Sequence, residues 1–221
     1  MMKYNTIIWD MDGTLLDTLR DLSDAVNHTL CVYGLPLRDK EEVRRLLGNG
    51  VRNLMRGAVP GGEKNPRFDD ILADFKAYYV NHCRDHTGPY EGICEALRQL
   101  KEMGVKMAVV SNKLQAGVDE LWEAYFRDTI DVAIGERSGV ARKPAPDMVQ
   151  LALRDLGTEG DDVRAVYIGD SEVDIATARN SALDCISVTW GFRDKDWLEE
   201  QGATVMADKP ADIVEIISGG R

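Results

Sequence analysis

The chain has 221 residues, 44% of them hydrophobic and 29% charged, and its 27 Lys and Arg against 38 Asp and Glu leave a formal net charge of -11. That length suits one large domain, or a domain with a sizeable insertion, and the composition is that of a globular protein. The negative balance disfavours nucleic acid and anionic membrane as partners, and a phosphorylated substrate would need local positive charge from a cation or from particular Lys and Arg residues.

Residues 4–10 read as an opening strand, an apolar β-prone run that stops abruptly at Asp10-Met11-Asp12-Gly13-Thr14. The run is too short and too soon interrupted by a carboxylate for a signal peptide. Leu19, Leu22, Ala25, Val26, Thr29 and Leu30 then recur at helical steps, up to the stop signal Tyr33-Gly34-Leu35-Pro36. Glu41 to Leu47 reads as a helix closed by Gly48-Asn49-Gly50, and Val51 to Ala58 as another, broken by Pro60-Gly61-Gly62. Asp69 to Asn81 is a longer helix with Ile71, Leu72, Phe75, Tyr78 and Tyr79 as its apolar stripe. No strand pattern occurs between Leu16 and His86. Asn81-His82-Cys83-Arg84-Asp85-His86 spaces two histidines four apart but lacks the usual zinc companions, so it reads as a solvated helix end before a metal site.

From Pro89 the rhythm alternates. Helices are expected over Gly92–Met103, Gly117–Tyr125, Pro146–Leu156, Asp174–Ser181 and Ala211–Ile217, with strands over Val105–Val110, Asp131–Ile134, Ala165–Ile168, Cys185–Val188 and Thr204–Met206. The last residues, 218–221, read as a loose tail. Such alternation implies a parallel sheet with right-handed crossovers and helices on both faces. The opening strand is separated from its sheet partners by the helical block, so the economical organisation is an α/β core of residues 1–14 and 88–221 with an inserted helical cap of residues 15–87. No apolar run approaches the ~20 residues of a membrane span. Cys31, Cys83, Cys94 and Cys185 form no Cys-x-x-Cys pair, which fits a reduced, cytoplasmic protein.

Four loops at expected strand or helix ends carry polar residues: Asp10-Met11-Asp12-Gly13-Thr14, Ser111-Asn112-Lys113, Arg142-Lys143-Pro144 and Gly169-Asp170-Ser171-Glu172-Val173-Asp174. Each alone is an ordinary turn or helix cap. Together, at the C-terminal ends of one parallel sheet, they gather carboxylates, a lysine and small donors into a crevice of the kind that holds ligands in open α/β folds. Clustered carboxylates repel unless a cation sits among them, and carboxylate oxygens with room for water make a typical Mg²⁺ site. Mg²⁺, a lysine and hydroxyl or amide donors are the equipment of phosphoryl transfer.

With these motifs in this order, the sequence resembles the haloacid dehalogenase-like (HAD) hydrolases. Asp-Met-Asp-Gly-Thr-Leu-Leu-Asp-Thr, Gly-Asn-Gly, Arg-Lys-Pro-Ala-Pro-Asp and Trp-Gly-Phe are similar to those of phosphoglycolate phosphatase-like members. The resemblance implies a Rossmann-like core with a small helical cap and a Mg²⁺-dependent phosphatase acting through an aspartyl-phosphate. It implies Asp10 as nucleophile and Asp12 as acid and base, with Lys143 offsetting charge. Ser111 and the Asn112 amide would hold phosphoryl oxygens. Mg²⁺ would sit on the Asp10 carboxylate, the Asp12 carbonyl and Asp170, supported by Asp174. The acid at Asp12, which the dehalogenating and phosphonate-cleaving branches lack, points to phosphate esters.

In the cap, Arg52 is either a group for a substrate carboxylate or second phosphate, or an exposed arginine at a helix–helix turn. Trp190-Gly191-Phe192-Arg193 either lines the site entrance or packs. The expected substrate is a small phosphorylated metabolite such as 2-phosphoglycolate, and the chain would be a monomer or homodimer. The alternatives are a β-phosphoglucomutase-like sugar phosphomutase, a pyrophosphatase, and a regulatory module phosphorylated on Asp10.

Overall fold

The computed structural model describes residues 2–158, 160 and 162–219, so the last two residues of the expected loose tail lie outside the described residues. In chain order the elements are strand β1 (Thr6–Trp9), β2 (Leu16–Asp17), helices α1 (Leu19–Val32), α2 (Lys40–Leu46), α3 (Gly50–Ala58) and α4 (Phe68–His82), then β3 (Gly88–Pro89). There follow α5 (Ile93–Glu102), β4 (Lys106–Leu114), α6 (Gln115–Tyr125), β5 (Val132–Glu136), α7 (Asp147–Asp155), β6 (Ala165–Gly169), α8 (Glu172–Asn180), β7 (Asp184–Val188), α9 (Lys195–Glu200), β8 (Met206–Ala207) and α10 (Pro210–Ser218). The chain divides into two compact units, Met1–Leu16 with Pro89–Arg221 and Asp17–Gly88.

The first unit is built on a parallel six-stranded sheet of order β5-β4-β1-β6-β7-β8. Its strands read as unbroken apolar runs because helices cover both faces. Alternate residues feed opposite cores. Ile7, Trp9, Met107, Val109, Val166 and Ile168 pack on one side, while Ile8, Ala108, Val110 and Tyr167 pack on the other, all essentially inaccessible. Truncating any one of the larger aliphatic or aromatic ones to Ala would cost about 2–5 kcal/mol. β1 lies between β4 and β6, with Trp9 level with Val109 on one side and Ile168 on the other. The residues that follow these three strands therefore emerge together at the point where the sheet order reverses, the usual place for a ligand.

The second unit is helical. α1 buries Leu22, Val26 and Leu30, α4 buries Phe75 and Tyr79, and the His28 and Tyr78 rings stack at 3.8 Å between the two helices. α2 begins with a capping box in which Asp39 Oδ1 accepts the Glu42 N–H and Glu42 Oε2 accepts the Asp39 N–H. Among the described residues no helix is long and apolar enough to cross a membrane.

Several elements depart from the expectations above. Two-residue strands, β2 and β3, occur at the crossings between the units, where no strand pattern is visible in the sequence. A six-residue helix, α9, follows Asp194, and a 3₁₀ turn occupies Gly62–Lys64; both are too short to set up a period. β4 runs on to Leu114 rather than stopping at Val110. α8 starts at Glu172 rather than Asp174, because Ser171 is its N-cap and Asp174 reaches back to it.

Candidate active site

Asp10 is the residue immediately after β1, and its N–H still donates to Ile168 O at 2.8 Å, one step beyond the strand ladder. The chain then doubles back: Leu15 and Leu16 N–H both donate to Met11 O at 3.0 Å. Gly13 permits this turn with φ +87°, and a Cβ there would lie 2.4 Å from Asp170 Oδ2, so any side chain would displace that carboxylate. A Cβ at Gly191 would likewise lie 2.3 Å from Asp170 Cβ. Asp170 is wedged between two glycines.

Four residues converge where β1, β4 and β6 end. Lys143 Nζ sits 2.7 Å from Asp10 Oδ1 and 2.8 Å from Asp174 Oδ1, and it donates to the Tyr167 hydroxyl at 3.0 Å. Its position is fixed through the backbone too, since Asn112 Nδ2 donates to Lys143 O at 3.1 Å. Asp174 Oδ2 accepts from Ser171 N and Oγ at 3.1 and 2.6 Å, so the cap of α8 orients the carboxylate that Lys143 reads. Asp170 accepts from Thr14 Oγ1 at 3.2 Å and from the Phe192 N–H at 2.6 Å. On the same side, Lys113 Nζ lies 2.9 Å from Asp12 Oδ1.

The electrostatics follow from burial. Asp10, Asp170, Asp174 and Lys143 are all nearly inaccessible. Burial, with Asp174 close by, pushes the Asp10 carboxyl well above the usual range, against the pull of Lys143. Asp170 is pushed up to about 7 by burial first and Asp174 second, with the Phe192 N–H opposing. Burial works against charge on Lys143, but Asp10 and Asp174 outweigh it and hold the ammonium well above its ordinary value. One ammonium thus serves two carboxylates, and the third, Asp170, is met by the Thr14 hydroxyl and the Phe192 N–H, with Arg193 adding a smaller pull.

That imbalance is the test of fit for a divalent metal. Carboxylate oxygens of Asp10, Asp170 and Asp174 lie within 4.8 Å of one another. Hard oxygen donors packed this closely suit Mg²⁺, and a cation there would let the raised carboxyls ionise. Asp174 has both oxygens engaged by Lys143, Tyr167 and Ser171, and Asp170 has one oxygen engaged by Thr14 and the other by the Phe192 N–H, so hydrogen bonds fix both carboxylates beside Asp10.

The structure thus brings Asp10, Asp12, Lys143, Asp170, Asp174, Ser111 and Asn112 to one end of the sheet. Ser111 Oγ accepts the Lys113 N–H at 3.2 Å, and both residues are buried. Arg52 belongs to the other unit, where Glu63 Oε1 and Asp69 Oδ1 engage it at 2.8 and 3.1 Å and Phe68 lies beneath its guanidinium. In the same unit, His82 pairs with Asp85 at 2.8 Å and stacks on Tyr78. Asp21, Asp24 and His86 come close there, but only Asp21 is buried, and its Oδ2 already accepts the His86 and Thr87 N–H groups. The Trp190–Arg193 segment braces the site from behind, since Trp190 Nε1 donates to Thr14 O at 3.0 Å and the Phe192 N–H holds Asp170.

Sequence reasoning assigned nothing to Lys113, Thr14, Tyr167 or the Phe192 amide. Lys113 and Thr14 stood inside motifs already singled out, so their place was the available signal. Tyr167, in the middle of a strand, reads as core.

Comparison with known proteins agrees with this geometry. The profile of the family described as Haloacid dehalogenase-like hydrolase matches residues 7–188. A phosphoglycolate phosphatase of Mesorhizobium japonicum is 31% identical over 97% of this chain and 96% of its own. An N-acetylmuramic acid 6-phosphate phosphatase of Pseudomonas aeruginosa is 28% identical over 98% and 96%. Among solved structures, one from Lactobacillus delbrueckii subsp. bulgaricus, which carries the phosphoglycolate phosphatase name provisionally, superposes with a TM-score of 0.92 at 40% identity, covering 99% of this chain and 100% of that one.

Proposed function

Since this chain belongs to the haloacid dehalogenase-like hydrolase family and is a phosphoric monoester hydrolase, we propose that it cleaves a small phosphorylated metabolite, 2-phosphoglycolate first, through an aspartyl-phosphate and with Mg²⁺. The observation that carries the reading is Lys143 held 2.7 Å from Asp10 among buried carboxylates. A buried carboxylate at a strand end, held by an ammonium, is suited to attack an electrophilic phosphorus.

The residues divide the work. Asp10 Oδ attacks phosphorus, the ester P–O bond breaks, and the leaving oxygen takes a proton from Asp12. Water then gives a proton to Asp12 and attacks the same phosphorus, the Asp10–phosphorus bond breaks, and inorganic phosphate departs. Lys143 offsets charge on the nucleophile and on the phosphoryl oxygens, while Ser111 and Asn112 stand where donors to those oxygens are needed. Mg²⁺, held by Asp10, Asp170 and the Asp12 carbonyl, supplies charge neutralisation and orientation when bound. Asp174 supports by fixing Lys143.

The phosphoglycolate choice rests on the name of the Mesorhizobium relative, and the muramic acid phosphate phosphatase makes a phosphorylated sugar acid the second candidate. The test is phosphate release from 2-phosphoglycolate, N-acetylmuramic acid 6-phosphate, glucose 1-phosphate and pyrophosphate with Mg²⁺ present. The highest kcat/KM is expected for 2-phosphoglycolate, and Asp10→Asn should reduce turnover by about 10³-fold or more. Isomerised glucose phosphate without phosphate release would overturn the hydrolytic reading in favour of a mutase. Turnover by the Asp10→Asn variant near the parent rate would remove Asp10 as nucleophile.

A further inference from the structure

Asp12 has an ammonium of its own. Lys143 is shared between Asp10 and Asp174, whereas Lys113 Nζ lies 2.9 Å from Asp12 Oδ1, with 2% of the lysine side chain exposed against 20% of the aspartate's. A lysine is almost never this buried unless it is paired.

The local backbone explains how Lys113 comes to face Asp12. Along β4, Val110 pairs with Ile134 and Leu114 with Glu136, so four steps on β4 match two on β5. The extra residues form a bulge over Ser111–Lys113, the device by which a strand re-aims side chains beside a site. The Lys113 N–H donates to Ser111 Oγ at 3.2 Å. The lysine stem then passes over Gly117 in the first turns of α6, where a Cβ would meet Cε, Cδ and Cγ at 3.4–3.5 Å. A glycine clears the path and a bulge points the side chain along it.

We propose that Lys113 is the positioning residue for Asp12, fixing its Oδ1 so that the other oxygen is the one that gives and takes the proton of the two-step reaction. This inference rests on the aspartyl-phosphate reading above. An aspartate on a loop has two free side-chain torsions, and a general acid acts only when held within hydrogen-bond reach of the leaving oxygen. Lys113 holds the torsions and does not itself touch the reacting atoms.

The experiment measures kcat/KM for a series of substituted phenyl phosphates with progressively poorer leaving groups, in Mg²⁺, for the parent, Lys113→Met, Lys113→Arg, Gly117→Val and Asp10→Asn. A good leaving group departs without a proton and a poor one needs Asp12. Lys113→Met should therefore lose about 10-fold with p-nitrophenyl phosphate and about 100-fold with phenyl phosphate, within the 10²–10⁴ that a positioned acid or base provides. KM should stay within about 2-fold, since Lys113 does not hold the substrate. Lys113→Arg, which keeps a cationic donor, should restore most of the parent's dependence on leaving group. Gly117→Val, which crowds the stem but leaves the ammonium in the chain, should steepen that dependence as Lys113→Met does, and it decides the matter if the Met variant does not fold. A loss of the same factor across the series, or none, in a folded variant overturns the positioning role while an inactive Asp10→Asn leaves the nucleophile standing. An active Asp10→Asn overturns both.

Discussion

Replacing Lys143 by Met removes the ammonium that two buried carboxylates share, and its consequence can be sized. Pairs at 2.7 and 2.8 Å are each worth about 6 kcal/mol at an effective dielectric near 20. Desolvation of all three groups and repulsion between Asp10 and Asp174 consume most of that. Deleting one member of a buried pair accordingly costs about 3–5 kcal/mol, chiefly because the survivors stay buried and unpaired. The cost depends on pH, and the sign is fixed. Without Lys143 the folded-state pKa of Asp10, already held well above the unfolded value of about 3.9, rises further, so the folded form binds more protons and loses stability as pH rises. The deficit of the variant should be small near about pH 4–5 and reach about 10 °C in Tm near about pH 8, at about 2–4 °C per kcal/mol for a chain of this size. All four tryptophans, at positions 9, 122, 190 and 197, lie in the sheet-bearing unit, so their fluorescence follows the unit that contains the change. Melts of both proteins in chelator at the two pH values are the assay. A variant as stable as the parent at the higher pH, or a deficit equal at both, refutes the reasoning.

The Asp170 carboxyl, pushed up to about 7 by burial and by Asp174, makes a second pH test. In chelator the parent should lose stability as pH rises from about 4 through about 7, and Mg²⁺ should raise Tm more above that window than below it; equal increments at both ends would sink the metal assignment. Gly13→Ala places a Cβ 2.4 Å from Asp170 Oδ2 at φ +87°, so it should cost about 1–3 kcal/mol of stability and raise the Mg²⁺ concentration needed for half-maximal activity at least about 10-fold. Titrating activity against Mg²⁺ checks it, and an unchanged requirement would detach Asp170 from the metal.

β1 and β6, at the centre of the sheet, were legible because they are apolar runs stopped by carboxylates. Ile7-Ile8-Trp9 ending at Asp10, and Val166-Tyr167-Ile168 ending before Asp170, announce both the strand and its polar terminus in the same few residues. The end of β4 was not legible in this way. Ser111 looks like the point where an apolar strand gives out, yet pairing resumes at Leu114 across a bulge that no period reveals. Arg52 marks another limit. Whether an arginine at a helix turn awaits a ligand or is already engaged depends on Glu63 and Asp69, which are 11 and 17 residues away and come near only when the chain folds.

The same distinction explains which parts of the site escaped. Motifs such as Asp-x-Asp and Gly-Asp-Ser-x-x-Asp are local, and a sequence displays them entire. The links between motifs are not local: Lys113 meets Asp12 across 101 positions, Lys143 meets Tyr167 across 24 and Asp174 across 31. Strand alternation assigns Tyr167 to one face of the sheet but says nothing of its height, and only height decides whether its hydroxyl reaches Lys143 or is lost in the apolar layer. Such groups are buried polar atoms that had to find partners, because leaving each unsatisfied would cost about 1–3 kcal/mol. The residues that act can therefore be read from the chain, while those that hold them in place are identified by asking which buried donor each carboxylate needs.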